Sequence, residues 1–236
     1  MSIAENVAGI TKRVDLSAQR SNRDPQIVTL MAVTKTISAD RIREAYDAGI
    51  RVFGENRVQE FADKIDALRN LPEAEWHLIG HLQSNKSAKA TELFAHVNSL
   101  DSIRLAEKLN TAASQLSKKL SVLVEINIGG EQAKSGIAPD SPELERLLRI
   151  APELSSLEFR GLMTVPPYND DPEQSRPYFR RMRALFERVK SRNLQAIRMD
   201  VLSMGMSQDF EVAIEEGSTC VRIGTAIFGE RAPQAG

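Results

Sequence analysis

Apolar residues fall along this chain in two different patterns. At the amino end Ile3, Val7, Ile10 and Val14 fall three or four residues apart, the spacing of one helix face, and predict a helix over about residues 2–17. After the turn-like Ser21-Asn22-Arg23-Asp24-Pro25, short runs of β-branched and apolar residues take over, at 28–34, 52–54, 76–79, 96–99, 122–126, 158–163, 201–204 and 220–223. Longer stretches with helical spacing lie between them, near 38–48, 57–69, 85–94, 102–115, 141–150, 173–191 and 208–216. Ser38, Asp101 and Ser141 (before Pro142) stand where helix N-caps belong, and Gly49 and Gly217 where C-caps belong.

Strands that alternate with helices imply parallel pairing, because a parallel crossover must be long and is usually helical. Eight such units predict an α/β fold, a closed (β/α)₈ TIM barrel with an extra N-terminal helix, in preference to an open doubly wound sheet. The stretch 165–172, rich in Pro, Asn and Asp, reads as a βα loop after the sixth strand, so one domain over 1–236 is expected. Lys+Arg 31 against Asp+Glu 32 give a net charge of −1, which argues against a dedicated nucleic-acid binder. One cysteine, Cys220, excludes an internal disulfide framework. No apolar run approaches bilayer length and the charged N-terminus lacks a signal-like apolar core, so a cytoplasmic protein with no membrane contact is expected. A monomer is expected too, since no large apolar surface stripe stands out.

In such a barrel chemistry belongs at the C-terminal strand ends. Lys35 ends the most hydrophobic strand, where partial desolvation would lower an amine's pKa and favour a nucleophile or Schiff-base former; alternatively it snorkels into water. Residues 201–207 turn from strand to helix through small residues that let an anion approach backbone N–H groups, and Gly224-Thr225 follow the eighth strand at the neighbouring position. Ser207 would serve equally as an N-cap for the next helix. Arg222 shares a strand face with Gly224 and needs a partner, either an interior carboxylate such as Glu55 or Glu125 or a ligand heteroatom. Asn56 is either a ligand contact or a helix cap. His77 and His81 are four apart across a strand exit without an acidic companion, which disfavours a metal site and leaves His77 as an interior histidine. Cys220 reads as apolar filling, and the arginines of 176–192 as the wet face of an amphipathic helix.

The stretches at 32–35 (AVTK), 53–56 (FGEN), 76–86 (WHLIGHLQSNK), 134–136 (KSG), 161–164 (GLMT), 202–207 (LSMGMS) and 221–229 (VRIGTAIFG) closely resemble the pyridoxal phosphate homeostasis proteins. They run in order over nearly the whole chain. The resemblance implies a barrel like that of bacterial alanine racemase, carrying pyridoxal 5′-phosphate (PLP). It implies Lys35 as the Schiff-base lysine, and Ser203, Ser207, Gly224 and Thr225 around the phosphate. Arg222 would face the pyridine nitrogen, and Asn56 and Met163 would line the ring.

An arginine beside that nitrogen opposes its protonation and weakens the ring as an electron sink. Racemases of this fold add a second domain bringing a catalytic tyrosine, for which this chain is expected to have no room after residue 229, and Tyr46, Tyr168 and Tyr178 are not placed as obvious acid–base partners. The expected function is therefore a non-catalytic PLP carrier that supplies apo-enzymes. A racemase-like enzyme and a Schiff-base aldolase are the alternatives, and Lys134 is a candidate aid to cofactor exchange.

Overall fold

Eight parallel strands pair in the order in which they occur and close on themselves in this computed structural model, which describes residues 1–131 and 134–229. They are β1 (Thr29–Val33), β2 (Val52–Glu55), β3 (Glu75–Leu78), β4 (His96–Leu100), β5 (Leu120–Glu125), β6 (Leu157–Met163), β7 (Ile197–Met206) and β8 (Cys220–Ile223). Closure comes from β1 lying in register with β8, from Thr29↔Cys220 to Ala32↔Ile223. The eight predicted strands are all present, and the closed order rules out the open sheet. The expectation of no room for a second domain past residue 229 falls outside the described residues.

The helices are α1 (Ile3–Arg20), α2 (Ala39–Asp47), α3 (Val58–Lys64), α4 (Ser87–Leu93), α5 (Ile103–Gln115), α6 (Pro142–Ile150), α7 (Arg176–Ser191), α8 (Phe210–Glu215) and α9 (Thr225–Phe228). None of them is long and apolar enough to cross a membrane. In α1 the predicted stripe is buried, and a reciprocal Ser2–Glu5 capping box satisfies its first N–H groups. Asn6 Nδ2 donates to the Ile227 carbonyl at 2.9 Å and so fastens α1 to α9.

The predicted caps need two corrections. Ser38 precedes α2 but its side chain makes no capping bond, and α5 is capped by Ser102, whose hydroxyl accepts from Leu105 N, rather than by Asp101. Ser141 caps α6 as expected. The arginines of α7 are not all merely solvated: Arg176 bonds Glu215 and Glu216 at 2.8 and 2.7 Å, tying α7 to α8.

Two glycines shape the strands that carry the site. Gly161 has φ +152, and a Cβ there would lie 1.8 Å from the Val201 carbonyl oxygen, so only glycine lets β6 approach β7 this closely. Gly205 has φ +95, and a Cβ would meet Ala213 Cβ at 2.5 Å, so glycine lets the end of β7 fold against α8.

Candidate functional site

A cavity of about 710 Å³ opens at the C-terminal ends of the strands. It brings together Lys35 after β1, Arg222 on β8, Ser207 after β7, and Gly224 and Thr225 before and in α9. Those are five of the eight site residues expected from sequence. Asn56, Met163 and Ser203 do not line it. Ser203 reaches it indirectly, through Arg222, and Met163 lies fully buried in register with Ser203 on the neighbouring strand.

The backbone around Lys35 is held on both sides. Thr34 Oγ1 donates to Glu55 Oε1 at 2.5 Å, and Lys64 Nζ donates to the Thr34 carbonyl at 2.9 Å. The same ammonium pairs with Glu55 at 2.8 Å and Glu60 at 3.1 Å. Beyond Lys35, Thr36 takes a left-handed φ of 63° while its N–H donates to Glu60 Oε1 at 2.6 Å. This network is invisible to local pattern reading because its members come from the loop after β1, from β2 and from α3. Burial raises the pKa of Glu55, outweighing the opposing pull of Lys64 and Thr34.

Arg222 is 3 % exposed. Its Nη1 donates to Ser203 Oγ at 2.6 Å and its Nη2 to the Thr164 carbonyl at 2.8 Å. Among the described residues it forms no salt bridge. Glu55 is engaged by Lys64, and Glu125 accepts from Ser135 Oγ at 3.2 Å, so the interior-carboxylate reading of Arg222 is not what the fold adopts. Burial lowers the Arg222 pKa, partly offset by Cys220, Asp209 and Glu125, yet a guanidinium stays charged at neutral pH. The result is a desolvated cation at the cavity whose hydrogen bonds, among the described residues, go to neutral oxygens.

Ser207 does not cap α8. Asp209 holds that position, and the Ser207 hydroxyl instead accepts from Ala226 N at 3.4 Å, in the first turn of α9. The loops after β7 and β8 are thereby joined into one small-residue rim. Asn56 does not cap a helix either: Arg57 is the N-cap of α3, and Asn56 Oδ1 is buried without a hydrogen-bond partner. Glu125 Oε2 is similarly unpartnered, and burial raises that carboxyl's pKa.

The rest of the cavity lining includes Lys134 and Tyr168, two residues with chemistry of their own. Lys134 lines it, paired with Glu131 and donating to the Pro166 carbonyl at 3.1 Å. Tyr168 lines it as well, but its hydroxyl is engaged at the exposed rim, donating to Asp170 at 3.1 Å and accepting from Gln208 at 3.2 Å. His81 and His77 are separated: His81 pairs with Asp101 at 2.8 Å, whereas His77 stacks on His96. Cys220 is buried, with burial pushing its thiol up.

Barrel and mouth define a protein of the class described by the alanine racemase N-terminal domain, whose family model matches residues 7–232. The chain is 44% identical over 231 residues to the pyridoxal phosphate homeostasis protein of Escherichia coli K12, covering 97% of both. It is 42% identical to the protein of that name from Aquifex aeolicus, over 98% of this chain and 99% of the relative. PipY of Synechococcus elongatus, solved with PLP bound, superposes with a TM-score of 0.80 at 37% identity, over 97% of this chain and 100% of PipY. The chain belongs to the pyridoxal phosphate homeostasis protein family.

Proposed function

We propose that this protein holds pyridoxal 5′-phosphate at the barrel mouth and serves as an intracellular carrier that gives it up to apo-enzymes, acting as a monomer in the cytoplasm. The observation that carries the reading is Arg222, a buried guanidinium facing the same cavity as Lys35 with neutral oxygens as its partners. A buried charge is expensive to leave without an electron-rich neighbour, and a heteroaromatic nitrogen supplies one.

When bound, the cofactor supplies an aldehyde that condenses with a primary amine. Lys35 offers that amine from a backbone braced by Glu55, Glu60 and Lys64. Ser207, Gly224 and Thr225 offer the small-residue rim suited to the phosphate. Ser203 holds the Arg222 guanidinium in place, while Asn56 and Met163 back the ring. A guanidinium beside a pyridine nitrogen keeps that nitrogen unprotonated, which suppresses carbanion chemistry and favours storage over turnover. The engaged hydroxyl of Tyr168 supports the same conclusion, because its proton is committed to Asp170.

The test is spectroscopic and then kinetic. Protein isolated with PLP should absorb in the visible, and the band should vanish on borohydride reduction and in Lys35→Ala. Absence of the band in the wild type would overturn the reading. Racemisation of an amino-acid panel at ordinary enzyme rates, on the order of 1–1000 s⁻¹, would replace the carrier with a racemase-like enzyme.

A further inference from the structure

We propose that Glu75, His77 and His96 form a binding site for a divalent transition-metal ion of the zinc type at the amino-terminal end of the barrel, where it would tie β3 to β4. The three residues sit at the opposite end of the strands from Lys35, so this site is independent of the mouth.

Strand geometry builds the cluster. Trp76 stacks on Phe53 and packs against Phe61 of α3, both at 4.9 Å between ring centroids, so it faces the helix layer. Its neighbours Glu75 and His77, one residue away on either side, therefore point to the other face, into the barrel. The β3–β4 register sets His96 beside His77, and their rings stack at 4.0 Å with 3° between planes. One carboxylate oxygen, Glu75 Oε2, stands 3.6 Å from His77 Nε2 and 3.8 Å from His96 Nε2. The ligand atoms of all three residues lie within 4.8 Å of one another.

Both imidazoles can present a ring nitrogen to a cation. His77 Nε2 is buried without a hydrogen-bond partner. The other ring nitrogen, Nδ1, lies 3.3 Å from the Asn98 side-chain amide. A half-turn of that amide presents its oxygen, which accepts the Nδ1 proton and leaves the Nε2 lone pair for a cation. His96 has its pKa lowered to about 4, by burial first and by His77 next, so it is a neutral imidazole at physiological pH. The nearby Arg160 is neutralised by Asp200 at 3.0 Å. Lone pairs lie in the ring plane, so ligation requires the two parallel rings to tilt toward Glu75, which the broad terminal torsion of histidine allows.

Two imidazoles and one carboxylate suit zinc, nickel or copper, and not the all-oxygen preference of magnesium or calcium. Three protein ligands leave a fourth position for water. The ion would act where pairing is short. β3 and β4 register at His77↔His96 and Leu78↔Val97, whereas β5 and β6 pair from Leu120↔Leu157 to Glu125↔Met163.

The experiment titrates ZnCl₂ into metal-stripped, tag-free protein by calorimetry, while ¹⁵N NMR follows the imidazoles of the three histidines. His81→Ala assigns the remaining two signals. We expect one ion per chain, paired shifts of His77 and His96 with His81 unmoved, and a Tm raised by about 5–10 °C at a hundredfold excess over Kd. His96→Ala, or Glu75→Gln if that variant does not fold, should weaken binding roughly tenfold or more. No saturable binding to the wild type, shifts at His81 instead, unaltered affinity in the variants, or an equal response to MgCl₂ would each overturn the proposal.

Discussion

Of the cations near the barrel mouth, Lys64 and Arg222 are treated differently by the fold. On the β1–β2 side, Lys64 is matched by two carboxylates and a carbonyl. On the β7–β8 side, Arg222 is more deeply buried yet meets one hydroxyl and one carbonyl. A charge met by carboxylates is consumed by structure. One met by neutral oxygens keeps most of its field for something else. The first side therefore reads as a brace for the Lys35 backbone and the second as the part that senses a ligand.

The largest expected effect that would test this contrast comes from Lys64→Met. It leaves Glu55 buried beside Thr34 without its cation, and breaking a buried pair costs about 3–5 kcal/mol. Thermal unfolding should show Tm lower by about 6–20 °C. A Tm within a degree of wild type would show that Lys64 is not a brace. Arg222→Met should do less to the ligand-free protein, under about 2 kcal/mol, because the lost hydrogen bonds are offset by removal of a desolvated charge. It should nevertheless reduce PLP retained on gel filtration well below wild type. If it destabilises the empty barrel as much as Lys64→Met, the two sides do not differ in kind.

The smallest effect concerns Glu125, whose buried carboxyl has a raised pKa from burial. A raised folded value means the protonated form is favoured in the native state. Its contribution to stability is present below about pH 4.5 and is lost as pH climbs through the folded value. Glu125→Gln should therefore melt higher than wild type at pH 7, with the advantage shrinking toward zero near pH 4. Parallel melting curves across that range would show that Glu125 ionises in the native state as easily as in the unfolded chain.

Much of this was legible in the sequence because it is local. Short β-branched and apolar runs marked all eight strands, and the 3–4 spacing of Ile3, Val7, Ile10 and Val14 marked α1. Lys35, Ser207, Arg222, Gly224 and Thr225 were picked out because strand ends carry the chemistry of a barrel, and the fold brings these five to one cavity. The misses have a common cause. Ser207 and Asn56 look like caps to their own following helices, yet the fold turns one toward Ala226, in a loop it meets only in space, and buries the amide oxygen of the other. His77 has His81 as its sequence neighbour and His96 as its partner, and only the β3–β4 register reveals the second. Lys64 was passed over within a helix because nothing near it announces that Glu55 lies 2.8 Å away. The four-residue α9 is too short to show any period.

The bond from Asn6 to the Ile227 carbonyl has a practical corollary for anyone handling this protein. Because the first helix bolts down the turn just past the eighth strand, purification tags or trimming at the amino terminus are interventions at Gly224 and Thr225 in disguise. Weak cofactor retention in a chain altered there would report on the engineering before it reported on the biology.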